Sequence, residues 1–326
     1  MAQAAGVSAS TASKVVRGLP GVSAELRRRV LRAVAELDYR PHLAGRALST
    51  GITIAEPVTI AVPTLMSTYY RRLTAHLIRA ARTAGLCSRI VQTEGYRHVE
   101  AELLVASVRR STPLLLAPLH LHQPTSSGRA APVVLLADLD ACCDLDRVAV
   151  DSAGAADLCA THLLHRGRRH LAFIGAGGEG THAAAALREQ GFHRATRRYG
   201  VDVPTTRTRS LPGWTAEHGA DATTALLRRD PVVDGIVAAN DQIAVGVLHA
   251  LRVLGRRAPD DVAVTGVDDD VAGDSAPALT SVALPISEMS EAAVLLLTQR
   301  LAGSAEPARV QRFTGRLLVR PSSGRD

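Results

Sequence analysis

From residue 57 onward, short apolar runs alternate with amphipathic stretches, and this alternation restricts the fold more than any other feature of the chain. The runs at 58–62, 87–91, 114–117, 133–136, 171–174, 235–238 and 262–264 read as strands buried on both faces, as parallel sheets require. Between them, 72–84, 100–109, 155–166, 184–199 and 242–254 carry helical spacing. That many βα units predict a doubly wound α/β body, built as two sheets. Such bodies bind ligands in clefts beyond the carboxyl ends of their strands.

The first 51 residues obey a different period and are helical throughout. Gly6 suits the left-handed turn that closes a first helix, and Ser8 is an N-cap for the next. Ala12, Val15 and Val16 share one face of that second helix. Gly18, Pro20 and Gly21 break the chain before Ser23 caps a third helix. Its apolar stripe is Leu26, Val30, Ala33, Val34 and Leu37, with Arg27, Arg28, Arg29 and Arg32 facing water. Helix, glycine turn, short helix with a small polar face, then a third helix is the layout of a helix-turn-helix. A three-helix packing module is the alternative.

Charge divides the chain at the same place. Residues 1–51 hold eight basic and three acidic side chains, a net +5, whereas the remaining 275 residues add only +2. A basic module on a near-neutral body fits a polyanion-binding head. A solvated arginine-rich helix face would give the same count. Lys14 is the only lysine against 37 arginines, a composition typical of GC-rich coding, so arginine abundance alone is a weak nucleic-acid signal.

Several function classes drop out. At 326 residues with 46% hydrophobic positions, the chain is a folded protein of two or three domains. No apolar run reaches the ~18 residues of a membrane-spanning helix, and the N-terminus lacks a signal-peptide layout, so a cytoplasmic protein is expected. Cys87, Cys142, Cys143 and Cys159 fit neither a disulfide framework nor a metal pattern, and there is no HExxH; no metal and no cofactor are expected. Residues 175–180 (GAGGEG) follow a strand and satisfy GxGxxG, with Asp202 some way downstream, but Asp202 sits in a turn with no strand leading into it. Asp268, Asp269 and Asp270 read as a turn or helix start rather than a metal or acid/base cluster, since consecutive side chains diverge. His162, His165 and His170 read as helix-face residues.

Residues 5–16 (AGVSASTASKVV) resemble the AGVSxxTVSRVLN signature of the LacI/GalR family. Residues 21–30 and 37–41 resemble its GVSxxTRxRV and ELGYxPN continuation, and 42–48 (HLAGRAL) its NxxARxL hinge helix. The resemblance implies base-facing roles for Ala9, Ser10 and Lys14, phosphate contacts for Thr11 and Ser13, and a minor-groove wedge at Leu48. Ser8, Arg17, His42 and Arg46 complete the implied DNA-contacting set. Ala12, Arg17, His42 and Gly45 depart from the pattern, and glycine at 45 weakens the hinge helix by about 0.5–1 kcal/mol. Family members carry further residues ahead of the position of Met1, so the expectation is that translation starts upstream or that this head binds operator weakly.

The resemblance extends through the body. Residues 234–246 (DGIVAANDQIAVG) resemble DAVFAANDxxALG, 262–269 (VAVTGVDD) VxVVGFDD, 277–282 (PALTSV) PPLTTV, 187–192 RxxGF, and 317–323 LVxRxST. It implies a small all-α helix-turn-helix head at 1–41, a hinge helix and linker at 42–56, and a two-lobed, periplasmic-binding-protein-like (type I) α/β core at 57–326. Lobe 1 would take 57–166 and 283–307, and lobe 2 167–282 and 308–326. It further implies an effector cleft gripped by the charged pair Arg188 and Asp241, with Asn240, Trp214, Tyr69 and Tyr70 also at cleft positions. The function implied is a homodimeric repressor of double-stranded operator DNA controlled by a small-molecule effector, a sugar in the first instance. The rivals are a solute-binding protein without a regulatory role and a dinucleotide-dependent enzyme.

Overall fold

The computed structural model describes residues 5–8, 11, 12, 15, 23–36, 56–119, 131–137, 144–177, 183–271, 273 and 275–324. The chain forms two compact units, Met1–Ala55 and Glu56–Asp326. In the first, helix α1 (Ala24–Glu36) begins where the Leu26 amide donates to Ser23 Oγ at 3.4 Å. Its stripe residues Val30 and Ala33 close over Ala5, Ala12 and Val15, with Val7 against them. Val16 and Leu37 of the expected stripes lie outside the described residues.

The second unit holds two six-stranded sheets. The strands are β1 (Val58–Val62), β2 (Ser88–Gln92), β3 (Leu114–Leu116), β4 (Val133–Leu136), β5 (Asp146–Val150) and β6 (Leu171–Ala176). They continue with β7 (Thr208–Ser210), β8 (Gly235–Ala238), β9 (Ala263–Asp268), β10 (Thr280–Ala283), β11 (Val310–Phe313) and β12 (Arg316–Leu318). Sheet one runs β11-β5-β4-β3-β1-β2, parallel throughout. Sheet two runs β12-β10-β9-β8-β6-β7, parallel except for β12, which is antiparallel to β10. The helices of this unit are α2 (Thr68–Thr83), α3 (Arg97–Arg110), α4 (Ser152–His165), α5 (Ala183–Arg198), α6 (Ala216–Arg229), α7 (Asp241–Val253) and α8 (Ile286–Leu301).

The lobes differ from the expected division in two places. Helix α4, assigned by sequence to lobe 1, packs on α5 and under the strands of sheet two, burying Ala155, Ala156, Cys159 and Leu163. Strand β11, assigned to lobe 2, adds instead to the edge of sheet one beside β5. The chain therefore crosses between lobes near 151, 284 and 314. β5 escaped the apolar pattern because it opens on a buried charge. The Asp146 carboxylate accepts Arg300 Nε at 2.7 Å and Nη2 at 2.9 Å, and these bonds hold its carboxyl below the ordinary carboxylate range against the opposing effect of burial. That buried pair ties β5 to α8. The edge strand β7 is polar throughout and so lacks an apolar run, whereas β11 and β12 are short edge strands of mixed polarity.

Candidate functional site

A cavity of about 430 Å³ lies between the sheets, where strand ends of lobe 1 (β1, β3, β4, β5) face those of lobe 2 (β8, β9). This is the position the doubly wound topology predicts for a ligand.

The lobe 2 wall carries the charge. Arg188 stands on α5, whose neighbouring Phe192 packs its ring on Phe173 of β6 at 5.3 Å and so fixes the helix face. Its guanidinium donates to the Ala239 carbonyl and, at 3.2 Å, to Asp268 Oδ1, while Nε meets no partner among the described residues. Trp214, in the connection between β7 and α6, lies 5.2 Å from the guanidinium, a cation–π arrangement. Asn240 caps α7, its Oδ1 accepting from the Ile243 amide at 2.9 Å, and borders the cavity. Asp268 closes β9 in a left-handed conformation, φ +109°, followed by Asp269 at +50°. For non-glycine residues this is sterically costly backbone, of a kind that concentrates at ligand sites. Burial pushes the Asp268 carboxyl up to about 6, with Arg188 pulling the other way.

The lobe 1 wall is mostly apolar. Tyr69 and Tyr70, in the first turn of α2, stack edge to face at 5.1 Å and 71°. Burial raises both phenols well above their ordinary range. Beyond them lie Leu119, Leu136, Val148, Val150 and Met289. Arg72 of α2 spans the lobes, donating to the carbonyls of Asp269 at 2.8 Å and Asp268 at 3.4 Å.

Of the six residues expected at the cleft, the structure brings five to the cavity: Tyr69, Tyr70, Arg188, Trp214 and Asn240. Asp241 is not among them. It opens α7, so its side chain diverges from that of its neighbour Asn240 and turns inward, fully buried. There it accepts Ser281 Oγ at 2.6 Å and the Asp270 amide at 3.1 Å, which binds α7 to β10 and to the turn after β9. Burial and the nearby Asp268 charge raise its carboxyl well above the ordinary range. The acidic partner of Arg188 is Asp268, not Asp241. Sequence reading took Asp268 only as part of a turn, and read its strand as ending at 264. The missed signal was its place at the carboxyl end of a strand that runs on to 268.

Gly175 of the glycine-rich run has a packing role, and residues 178–180 lie outside the described residues. Gly175 adopts φ +105°, and a Cβ there would meet the Ala239 side chain at 2.5 Å. Asp202 is exposed beyond α5. His162 and His165 lie on α4 as expected and bond Ser323 Oγ and Tyr199 Oη, whereas His170 precedes β6. Among the described residues no group of His, Cys, Asp and Glu could hold a metal ion, and no helix is long and apolar enough to cross a membrane.

In the head, Gly6 has the left-handed φ of +60° expected of a helix-closing residue. Ser8 is exposed and caps the following helix, its Oγ accepting the Thr11 amide at 3.1 Å and lying 2.9 Å from Thr11 Oγ1. Arg29 of α1 donates to the Ala5 carbonyl at 2.8 Å, so at least one arginine of the third helix locks the head together. The other residues expected to contact DNA (Ala9, Ser10, Ser13, Lys14, Arg17, His42, Arg46 and Leu48) lie outside the described residues, as do Cys142 and Cys143.

Residues 1–42 match the model of bacterial regulatory proteins of the lacI family, and 160–323 that of a periplasmic binding protein-like domain. The HTH-type transcriptional regulator GntR of Pseudomonas aeruginosa is 31% identical, over 93% of this chain and 88% of its own length. The chain belongs to the LacI family. The ribose operon repressor of Escherichia coli is 29% identical over 92% of both chains. A solved complex of the transcriptional regulator CelR with cellobiose superposes with a TM-score of 0.74 at 26% identity, covering 98% of each chain. This LacI-family protein is accordingly a transcriptional regulator and not an enzyme, with a helix-turn-helix head on a two-sheet periplasmic-binding-protein-like core.

Proposed function

We propose that this LacI-family regulator is a homodimeric cytoplasmic repressor whose grip on double-stranded operator DNA is set by a sugar held between its lobes. The observation that carries the effector half is the buried Arg188–Asp268 pair, roofed by Trp214 and opening on the interlobe cavity. A sugar offers hydroxyls that both accept from a guanidinium and donate to a carboxylate, and its ring carries an apolar face that an aromatic side chain covers. Asn240, Tyr69 and Tyr70 supply further polar groups and ring surface. The cellobiose held by CelR and the name of the ribose operon repressor support the same chemical class.

Coupling to DNA follows from the two-lobed build. A ligand touching both walls favours one lobe arrangement, and Arg72 stabilises that arrangement through the carbonyls beside Asp268. The dimer sets two recognition helices about 34–36 Å apart on a pseudopalindromic operator. In this reading Ser8, Ala9, Ser10, Thr11, Ser13, Lys14 and Arg17 contact the major groove and its phosphates, Leu48 is the minor-groove wedge, and His42 and Arg46 complete the DNA-contacting set. Each neutralised phosphate adds about −0.9 to the slope of log K against log salt.

The test is a thermal-shift screen of the full chain against mono- and disaccharides, followed by anisotropy on DNA selected from a random pool. A sugar that raises the melting temperature and changes operator affinity supports the proposal. Selected DNA bound no better than random DNA, or operator affinity indifferent to every stabilising sugar, contradicts it.

A further inference from the structure

Lobe 2 carries a further cavity, of about 270 Å³, which shares no lining residue with the one between the lobes. It lies against the last turns of α6 and the start of β7, the edge strand of sheet two. Its walls are Thr206, Arg209, Ala225, Leu226, Arg229 and Asp230. The volume is just below the ~300–1,000 Å³ of ordinary small-molecule pockets, which leaves room for one compact ligand.

The charges on these walls do not balance. Among the described residues Asp230 is the one acid lining the cavity, and Arg207, in the single 3-10 turn before β7, already takes it. Arg207 Nε donates to Asp230 Oδ2 at 2.7 Å and Nη2 to Oδ1 at 3.3 Å. That pairing holds the Asp230 carboxyl below its ordinary range, so the carboxylate stays ionised and spent on Arg207. Arg209 and Arg229 then line the cavity with no hydrogen-bond or ion-pair partner among the described residues. Arg229 alone would be the cation usual at the carboxyl end of a helix. Arg209 comes from a strand, where no helix end calls for it, and it is half-buried. Two guanidiniums on one small cavity repel each other, and an anion between them removes the repulsion and meets both forks.

The excess of two positive charges selects the kind of anion. A carboxylate brings one negative charge. A phosphate monoester brings about −1.5 to −2 at neutral pH, with three strong acceptor oxygens. Those oxygens suffice for both guanidiniums and the Thr206 hydroxyl. Bare phosphate would leave the apolar wall of Ala225 and Leu226 uncovered, whereas the carbon portion of an ester takes it out of water.

We propose that this cavity binds a small phosphate monoester, its phosphoryl group between Arg209 and Arg229 and its carbon portion on Ala225 and Leu226. It is a second ligand site, and it stands whether or not the interlobe cavity holds a sugar.

The full chain, free of DNA, is titrated by calorimetry at about pH 7.5 and constant ionic strength with inorganic phosphate, glycerol 3-phosphate, phenyl phosphate and acetate. At least one ester binds saturably, once per chain and at least threefold more tightly than inorganic phosphate, with acetate weaker still. Arg209→Gln and Arg229→Gln each weaken that ester by about fivefold or more, the loss of one hydrogen bond to a charged group. Arg228→Gln, beside Arg229 on α6 but off the cavity, changes it less than twofold. Melting temperatures near that of the parent show the variants folded. Ester binding that survives both Arg209→Gln and Arg229→Gln, as it would if the basic head held the anion, overturns the proposal. So does the absence of saturable ester binding, or inorganic phosphate or acetate binding as tightly as both esters.

Discussion

The two walls of the interlobe cavity are built from the same kind of element, the carboxyl ends of parallel strands, yet they do opposite work. Lobe 2 concentrates charge and strained backbone there: Arg188, Asp268 at φ +109° and Asp269 at +50°. Lobe 1 ends its strands in aliphatic side chains and keeps its own buried charge pair, Asp146–Arg300, within its framework, where it ties β5 to α8. A buried ion pair by itself therefore says little about function. The pair proposed to hold the effector is the one that borders a cavity and sits on backbone the fold must force.

The largest expected effect that would sharpen this contrast is loss of Arg188. Arg188→Ala leaves Asp268 buried without its partner, and ligand affinity should fall by a hundredfold or more, since cutting a buried charged hydrogen bond costs about 2–5 kcal/mol. Arg300→Ala in the other lobe should lower the melting temperature strongly by stranding Asp146, without that selective loss of binding in the fraction still folded. If both variants lose binding and stability in parallel, the contrast between the walls is false.

Acid should act on one wall only. Asp268 titrates near pH 6, so above that pH it is a carboxylate that accepts from ligand hydroxyls, and below it the proton removes the acceptor. Ligand affinity measured by calorimetry should be level between about pH 7 and 8 and fall below 6, by up to about tenfold per pH unit. Constant affinity down to pH 5 would break this assignment. A smaller effect is expected at the bridge between the lobes: Arg72→Gln loses its bonds to the carbonyls of Asp268 and Asp269, and ligand affinity should drop by about fivefold, since one such bond contributes roughly 1 kcal/mol. The smallest change in affinity belongs to Asp241→Ala. That variant should lose stability, by about 1–3 kcal/mol for the unpaired Ser281 hydroxyl and Asp270 amide, and change ligand binding little.

Much of this was legible in the residues. The βα alternation gave the two sheets because buried parallel strands must be apolar on both faces, and Gly6 and Ser8 announced the helix boundary they form. Five cleft residues were legible through the family motifs. What escaped was tertiary. Strand β5 hid behind Asp146, whose partner Arg300 is remote in sequence. Helix α4 shows nothing locally about which lobe it will join. The exchange of Asp241 for Asp268 turned on one residue of helix phase: Asn240 takes the cap, so its neighbour rotates into the core. Neighbouring carboxylates in sequence do not disclose which of them the fold will expose.

The most direct test of the cavity assignment is the ligand affinity of Asp268→Asn, measured by calorimetry on the full chain beside Asp241→Asn. Asparagine keeps the shape but cannot act as a charged acceptor. The account predicts that Asp268→Asn weakens the ligand by at least tenfold and abolishes the fall in affinity below pH 6, while Asp241→Asn binds nearly as the parent does. Unchanged affinity in Asp268→Asn, or a large selective loss in Asp241→Asn, would contradict it.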